Sequence, residues 1–324
     1  MSYPEFHFNT TAEEVATTFA GEIKGKNVIV TGTSINGVGF ETARVIARYA
    51  NLVVITGYNE SRLKLAEDAI KNDAPHANIR TLILDLSSLA AVRTAAAQVK
   101  AYEEPIHILI NNAAAPVVPF KLTVDGLEYQ MATDHFGPFL FTALIAPRLL
   151  ATKTQNFTPR IVFVSSAGHA ECRGVDFETL RKPDSKTYEM FDAHFKAKSA
   201  NALTAAELSR RSGGKIHSYS LHPGSIMTNI TTKEEALEPL KAMKVLLPDG
   251  QPNTKDIQWK TIPEGAATSV AAAFDPRLET NPGAYLDDSK VANDKLARHA
   301  ADPANAAKLW DLSEEIVGIK FDFD

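Results

Sequence analysis

A glycine-rich turn between two apolar segments is the first place where residue types and spacing in this sequence suggest chemistry. Residues 28–30 form an apolar run typical of a buried strand, and Gly32, Gly37 and Gly39 precede a helix-forming run at 41–47. Glycine is needed where the backbone takes a positive φ or lies against a ligand, and a helix N-terminus offers free N–H groups to a phosphate. The turn therefore predicts either the pyrophosphate cradle of a dinucleotide or an ordinary turn from strand to helix.

The elements that would position this turn alternate along the chain. Further strand-like runs are 52–56, 79–84, 106–110, 160–165 and 216–221. Helical patterns lie near 60–72, 87–102, 124–150, 194–211, 263–274 and 306–313. Strands that are nearly continuous in Val, Ile and Leu and separated by helices indicate a parallel sheet covered on both faces. We therefore expect an α/β fold, a Rossmann-type doubly wound sheet of about seven strands, in a single domain covering 1–324.

Residues 229–262 interrupt this alternation of strands and helices. They combine a charged cluster at 233–235 with Pro239, Pro248, Gly250 and Pro252. The segment is either a variable surface excursion or a lid over a ligand crevice. Because loops at the carboxyl ends of the strands carry the specificity of such folds, we favour a substrate lid.

The composition excludes several classes of protein. The net charge of -5 and the pI near 6.0 indicate no basic surface for nucleic acid, and no apolar stretch reaches the ~18 residues of a membrane helix. The N-terminus lacks a signal-peptide pattern, the single cysteine excludes an intramolecular disulfide, and the 9 histidines show no metal-binding spacing. We expect a soluble, cytoplasmic protein that binds a small molecule, without metal, nucleic acid or membrane, and with homo-oligomerisation left open.

Short motifs follow the strands in a fixed order. After the glycine turn they are Asp85-Leu86, Asn111-Asn112-Ala113-Ala114, Ser165-Ser166-Ala167-Gly168-His169, Lys198-Ser199-Ala200-Asn201-Ala202 and His222-Pro223-Gly224-Ser225-Ile226-Met227-Thr228. Each motif is weak alone, but the six in this order are specific. Over residues 20–318 the chain resembles the short-chain dehydrogenase/reductase family, in particular its retinol-dehydrogenase-like and WW-domain-oxidoreductase-like branch of fungal type.

The resemblance implies a binding role for individual residues. It implies that the glycine turn cradles the pyrophosphate, that Asp85 contacts the adenine, that Asn112 contacts the adenosine ribose and that Lys198 holds the nicotinamide ribose. The full predicted set for the dinucleotide is Gly32, Ser34, Gly37, Val38, Gly39, Tyr58, Asn59, Arg62, Asp85, Leu86, Asn112, Ala113, Lys198, Pro223, Gly224 and Thr228.

The end of the second strand bears on the choice between NAD and NADP. A carboxylate there would bind the ribose 2′-OH of NAD, and residues 56–59 contain none. The resemblance implies an Arg in NADP-using relatives where Tyr58 stands, and we expect Arg62, one turn later, to reach a 2′-phosphate. The sequence therefore predicts NADP(H) rather than NAD(H).

The family's catalytic pattern is altered at two of its four positions. The resemblance implies a Ser, a Tyr with a Lys four residues later, and an Asn. Ser166 and Lys198 match, whereas His194 stands at the Tyr position and Asp134 at the Asn position. No Tyr in this chain is followed by Lys at that spacing.

We interpret Ser166, His194, Lys198 and Asp134 as a retuned acid–base site. Repulsion from Lys198 favours a neutral His194, and a carboxylate at Asp134 would offset that charge and restore an imidazolium able to donate a proton at about pH 7. The alternative is that the acid has been lost and His194 only fills space.

Three classes of function remain open. The first is an NADP(H)-dependent oxidoreductase acting on a carbonyl or secondary alcohol of a small apolar metabolite, as in fungal secondary metabolism. The second is a non-redox isomerase, dehydratase or cyclase on the same fold, with His194 and Asp134 transferring protons. The third is a dinucleotide-binding protein without turnover. Retention of Ser166 and Lys198 favours an enzyme, and we rank the first class above the second.

Overall fold

An eight-stranded sheet forms the centre of the protein, seen in a computed structural model that describes residues 3–228 and 234–323. The strands, including a separate two-stranded pair, are β1 (Asn27–Val30), β2 (Leu52–Gly57), β3 (Ile79–Ile83), β4 (Ile108–Asn111), β5 (Arg160–Val164), β6 (His217–Leu221), β7 (Ser225–Ile226), β8 (Trp259–Lys260), β9 (Tyr285–Asp287) and β10 (Lys290–Val291). The main sheet has the order β3-β2-β1-β4-β5-β6-β9-β10. Its strands from β3 to β9 are parallel, and β10 is antiparallel to β9.

Helices cover both faces of this sheet. They are α1 (Ala12–Thr18), α2 (Ala20–Ile23), α3 (Val38–Ala47), α4 (Glu60–Asp73), α5 (Leu89–Lys100), α6 (Tyr129–Met131), α7 (Gly137–Leu150), α8 (Phe177–Arg181), α9 (Met190–Arg211), α10 (Glu234–Ala242), α11 (Ile262–Phe274), α12 (Arg298–Ala301) and α13 (Pro303–Val317). Val28 and Val30 belong to the apolar core with α1, α3 and α11, whereas Ile29 belongs to the core with α5, α7, α9 and α13. Alternate side chains of a strand point to opposite faces, so a continuous apolar run fills both cores.

The predicted fold class, a doubly wound parallel sheet in a single domain, is confirmed. The order of the strands reverses between β1 and β4, and ligands of such sheets bind outside the carboxyl ends of the strands at this reversal. The glycine turn after β1 and the segment after β4 therefore share one crevice.

The helix predicted near 124–150 begins later and is irregular. Residues 123–127 form a turn, with Gly126 at φ +75°, and the helix starts at Tyr129 with Glu128 as its N-cap. A π-helical segment, Ala132–Phe136, joins α6 to α7. Such a segment inserts an extra residue into a helical turn and is frequent at functional sites; here it carries Asp134.

The excursion predicted at 229–262 has structure of its own, although residues 229–233 lie outside the described part of the chain. It contains α10, and it ends with β8, which pairs in parallel with β7. Ala236, Leu240 and Leu246 form a small apolar cluster, against which Phe191 of α9 packs. Within the described ranges, no helix has the length and apolar character that crossing a membrane requires.

Candidate active site

The glycine turn is held against the segment that follows β4. Gly32 has φ +69°, and a methyl group there would lie 2.7 Å from the Ala113 Cα. A methyl group at Gly39 would lie 2.5 Å from the Gly32 C=O and would collide with the amide of Asn112. Close packing within the protein therefore requires glycine at Gly32 and Gly39, and the contact of all three glycines with a pyrophosphate stays a prediction.

The third glycine, Gly37, precedes an open helix N-terminus. It is the N-cap of α3, and no side chain caps this end of the helix. The first N–H groups of a helix have no partner within it, and the helix dipole makes this end favourable for an anion. The part of the turn suited to a pyrophosphate is therefore the stretch from Gly37 through Val38 to Gly39.

Asn112 fastens the turn to the neighbouring strand. Its side-chain amide donates to the Thr31 C=O at 2.8 Å and to the Gly32 C=O at 3.1 Å. In return, the Thr31 hydroxyl accepts from the N–H groups of Asn112 and Ala113, each at 3.0 Å. Asn112 and Ala113 thus lie beside the turn as expected, and their contact with the adenosine ribose stays a prediction.

The end of β2 presents polar side chains to solvent. Asn59 is the N-cap of α4 and accepts from the Arg62 N–H at 2.9 Å. Tyr58 is 68% exposed, and the side chains of Arg62 and Ser34 are exposed as well. Among the residues that the structure describes, Arg62 forms no ion pair, so its guanidinium is available to an anion.

Asp85 and Leu86 follow β3 at the same edge of the sheet. One carboxylate oxygen of Asp85 accepts from the Ser87 N–H at 2.9 Å and from the Ser87 hydroxyl at 2.6 Å. Leu86 is buried, and its C=O lies so close to Gly137, the first residue of α7, that no side chain fits there. Their predicted contact with the adenine remains untested.

Asp134, Lys198 and His194 come together in the interior. Asp134 has a fully buried side chain, and its Oδ1 accepts from the Ala115 N–H at 2.5 Å. Its Oδ2 lies 3.1 Å from Lys198 Nζ and 3.9 Å from His194 Nδ1. The Lys198 side chain is 4% exposed and that of His194 is 15% exposed, so the three charged or polar groups meet with little solvent to screen them.

Two atoms of this cluster have no hydrogen-bond partner. Within the described residues, neither Asp134 Oδ2 nor His194 Nδ1 forms a hydrogen bond. Lys198 Nζ is within ion-pairing distance of Oδ2, but its orientation does not make a hydrogen bond. A buried polar atom without a partner is costly. A proton or a substrate group bound between Asp134 Oδ2 and His194 Nδ1, or a small movement of the ring that closes this distance, would therefore be favourable.

His194 is neutral in the free protein. Its pKa is lowered to about 4, mainly by burial and also by the positive charge of Lys198, while Asp134 acts in the opposite direction. The expectation that Asp134 restores an imidazolium is therefore wrong for the free protein, because the cost of desolvating a cation outweighs the attraction of one carboxylate.

The serine pair lies where β5 ends and connects to α9. The Ser165 hydroxyl donates to the Lys198 C=O at 2.7 Å, which holds the helix against the strand. Ser166 caps a short 3₁₀ turn, and its Oγ accepts from the Gly168 N–H at 3.1 Å. The Phe195 ring packs so closely on Gly168 that a methyl group there would lie 2.5 Å from it. Ser166 is thus fixed beside the helix that carries His194 and Lys198.

The segment after β6 is tied to the serine segment. The Ala167 N–H donates to His222 Nδ1 at 3.1 Å, and burial lowers the pKa of His222 to about 4, which suits an acceptor nitrogen. Pro223 and Gly224 follow directly and are half-buried, and Thr228 ends the described part of this segment. The predicted nicotinamide flank therefore lies next to Ser166, as the order of the motifs required.

Two residues of this region were missed by reasoning from the sequence. The sequence analysis gave Ser165 no role, and its hydrogen bond to the Lys198 C=O becomes visible only in the fold. Lys260 lies at the end of the excursion, yet its buried side chain contacts Gly224. A lysine three residues before Pro263, at the start of a helix, has no feature in the sequence that predicts burial.

A doubly wound parallel sheet with an open helix N-terminus after its first strand defines a Rossmann-type protein. The family model described as short chain dehydrogenase matches residues 26–174. The chain is 35% identical over 315 residues to the Brassica napus short-chain dehydrogenase TIC 32 A, chloroplastic, covering 95% of this chain and 93% of that one. It is also 35% identical over 316 residues to the WW domain-containing oxidoreductase of Danio rerio, covering 95% of this chain and 72% of the relative.

A solved structure agrees with these relatives. An uncharacterised protein from Mycobacterium paratuberculosis superposes with a TM-score of 0.68 at 26% identity, covering 94% of this chain and 98% of the other. The chain belongs to the short-chain dehydrogenase/reductase family, as the resemblance of its motifs predicted.

Proposed function

We propose that the protein is an NADP(H)-dependent oxidoreductase acting on a secondary alcohol or carbonyl of a small apolar metabolite. The observation that carries this proposal is the open N-terminus of α3 at Gly37, presented where the strand order reverses between β1 and β4. Membership of a family of dehydrogenases and reductases supports the redox reaction. Retention of Ser166 and Lys198 supports turnover rather than binding alone.

The residues present fit a phosphorylated dinucleotide. The N–H groups from Gly37 to Gly39 suit the pyrophosphate, and the exposed Arg62 guanidinium suits a 2′-phosphate. Lys198 suits the nicotinamide ribose, and Pro223 and Thr228 suit the nicotinamide. When bound, the dinucleotide supplies or accepts the hydride.

His194 moves the proton at the substrate oxygen in this proposal. With Nδ1 turned toward Asp134, Nε2 is the nitrogen left for a substrate. If the neutral ring donates from Nδ1 to Asp134, its Nε2 can accept a proton from the substrate. The Ser166 hydroxyl orients the substrate oxygen. Because the pKa of His194 is about 4, this arrangement favours removing a proton from an alcohol over protonating a carbonyl.

The excursion at 229–262 is proposed as the lid over the substrate. Its apolar cluster reaches Phe191, three residues before His194, which supports an apolar substrate at the entrance of the site. The proposal also includes a role in fungal secondary metabolism, a cytoplasmic location and a homo-oligomeric state. The similar plant protein differs in location, since its name describes it as chloroplastic.

One observation favours a second function. His194 and Asp134 replace the phenol and amide of the family's pattern, and a neutral imidazole beside a carboxylate is a general base that needs no hydride acceptor. The alternative is therefore an isomerase, dehydratase or cyclase in which His194 abstracts a proton and the dinucleotide is structural.

The test uses the full chain with a panel of secondary alcohols and NADP+, and of carbonyls and NADPH. Reduction or oxidation of the dinucleotide is followed by its near-ultraviolet absorbance, and products are followed by mass spectrometry. Stoichiometric change of substrate and dinucleotide supports the oxidoreductase. Conversion of a substrate without net change in the dinucleotide overturns it in favour of the alternative. Tight dinucleotide binding with no conversion across the panel would overturn both and identify a binding protein.

A further inference from the structure

The turn that follows Pro223 is enclosed by a second segment of the chain. β7, directly after Gly224, pairs in parallel with β8, with Ser225 opposite Trp259 and Ile226 opposite Lys260. Gly265, in the first turn of α11, lies so close to the Ile226 side chain that no side chain fits there. The segment from β8 into α11 therefore forms one wall of the predicted nicotinamide flank.

Lys260 forms the part of this wall that touches Gly224. Gly224 has φ +99°, and a methyl group there would lie 2.6 Å from the Lys260 Cδ. Only glycine adopts this φ without strain, and the aliphatic stem of Lys260 fills the space that a side chain at 224 would take. The conformation of the turn and the position of the lysine stem thus depend on each other.

The ammonium of Lys260 is held in place by two other elements. Its side chain is 2% exposed, and Nζ donates to Asp288 Oδ1 at 2.6 Å. Nζ also lies 4.7 Å from the centre of the Phe8 ring, a favourable distance for a cation over an aromatic face. Because long lysine side chains are mobile when free, these contacts restrict the stem to the orientation that meets Gly224.

Asp288 belongs to the tight turn between β9 and β10, and its own conformation is unusual. Asp288 and Ser289 both have positive φ, 49° and 61°, and the Ser289 N–H donates to the Thr268 hydroxyl at 3.1 Å. The hairpin turn is therefore anchored to α11. The ion pair of Asp288 with Lys260 therefore links the turn between β9 and β10 to the loop at Gly224, which faces the proposed cofactor crevice.

We infer that Lys260 is a positioning residue for the nicotinamide end of the dinucleotide, holding the turn at Gly224 through its stem while Asp288 and Phe8 hold its ammonium. The inference rests on the proposed function, since it assumes that a dinucleotide binds with its nicotinamide against Pro223 and Gly224. Lys260 touches neither the substrate nor the reacting atoms in this role. It acts by keeping the turn in a binding-ready shape before the ligand arrives.

The test compares two ligands that differ only in the nicotinamide base. Affinities of NADP+ and of 2′-phospho-ADP-ribose, which lacks the nicotinamide, are measured by calorimetry on the full chain. Lys260→Met keeps the apolar stem and removes the charge. We expect it to weaken NADP+ binding about three- to tenfold, the effect of ordering one loop at binding, and to leave binding of 2′-phospho-ADP-ribose within about twofold.

Lys290→Met is the matched control. Lys290 lies on β10 of the same hairpin, is exposed and pairs only loosely with Glu5 at 3.7 Å, so its removal leaves both affinities unchanged. Asp288→Asn is the second variant, because asparagine tolerates positive φ and leaves Lys260 in the protein. Asp288→Asn should also weaken NADP+ binding more than binding of 2′-phospho-ADP-ribose, and it provides the test if Lys260→Met folds poorly.

Each outcome separates the inference from the proposed function. If wild-type protein binds neither ligand, the proposed function is wrong. If wild-type protein binds both and the Lys260 and Asp288 variants bind both as well as wild type, the positioning role is wrong. Equal weakening of the two ligands would show general damage to the fold and would also overturn the positioning role.

Discussion

His194 Nδ1 lies 3.9 Å from Asp134 Oδ2, and among the described residues neither atom has a hydrogen-bond partner. A closing movement of about 1 Å would make a hydrogen bond of normal length. Asp134 is held by the Ala115 N–H, so the movement would have to come from the imidazole, whose Nδ1 forms no hydrogen bond within the described residues. Such a bond would orient the ring and stabilise positive charge on it, as a carboxylate does for the histidine of a hydrolase triad.

Removal of His194 should abolish most of the turnover while leaving cofactor binding in place. General acid–base groups contribute about 10²- to 10⁴-fold to rates, so we expect His194→Ala to lower kcat by an amount in this range. The dissociation constant for NADPH, measured by fluorescence, should stay close to that of wild type. His76→Ala, at an exposed histidine on the loop after α4, is the matched control, and an unchanged kcat in His194→Ala would show that the retuned site is not catalytic.

The double variant His194→Tyr with Asp134→Asn recreates the family's four-residue pattern. It places a tyrosine four residues before Lys198 and an amide at the π-helical position. We expect faster carbonyl reduction than in wild type, because a phenol beside Lys198 donates a proton at about neutral pH whereas a histidine with a pKa of about 4 does not. Steady-state reduction rates across pH check this, and a double variant slower than wild type at every pH would contradict the proposed role of the two replaced residues.

Arg62 should decide the preference for NADP(H). Arg62→Gln removes the exposed guanidinium at the start of α4 without disturbing the cap that Asn59 makes with its backbone N–H. A charge-assisted contact to a phosphate supports a loss of about tenfold in NADPH affinity, with NADH affinity unchanged. Lys64→Gln, on the same helix and paired with Asp68, is the control. Equal affinities of Arg62→Gln and wild type for NADPH would assign the 2′-phosphate to another group.

Stability should fall in mild acid because buried histidines, His135 and His194 among them, are neutral in the folded protein. Burial lowers the pKa of His135 to about 3 and that of His194 to about 4, whereas both bind protons near the ordinary value of about 6.5 when unfolded. The unfolded state therefore binds more protons, and the free energy of unfolding falls as pH drops from above 6.5 toward 4. Each histidine accounts for about 2 kcal/mol between pH 7 and pH 5.

Urea unfolding at both pH values measures this loss. His135→Asn keeps a polar group near Ser313, the hydrogen-bond partner of His135, but does not titrate. The fall in unfolding free energy for this variant should be smaller than that for wild type by about 2 kcal/mol. An identical fall in the two proteins would show that His135 does not set the acid sensitivity.

The central sheet could be predicted because its strands are buried on both faces. Runs such as 52–56 and 160–165 nearly coincide with β2 (Leu52–Gly57) and β5 (Arg160–Val164). β9 and β10 were missed, since strands of three and two residues have no periodicity to recognise. The start of the helix at Tyr129 was missed because a turn stabilised by Thr123 and Gly126 replaced the first residues of the helical pattern.

The candidate site could be predicted as a set of residues but not as an arrangement. The spacing of His194 and Lys198 placed both on one side of a helix, and the motif order placed Ser166 nearby. The protonation state of His194 was predicted wrongly, because the sequence shows which charges are near but not how much water is excluded. The burial of Lys260 was not predicted for the same reason, since it depends on Gly224, Asp288 and Phe8 together.

The sequence by itself determined the family, the doubly wound sheet and the identity of the residues at its carboxyl edge. These follow from local patterns, because apolar runs, glycine turns and helix spacing act over a few neighbouring residues. Only the tertiary structure decided that Asp134 faces both Lys198 and His194 and that Lys260 packs on Gly224. Contacts between distant segments and the removal of water from between them are properties of the packed chain, and they set the charge of His194 and the shape of the turn at Gly224.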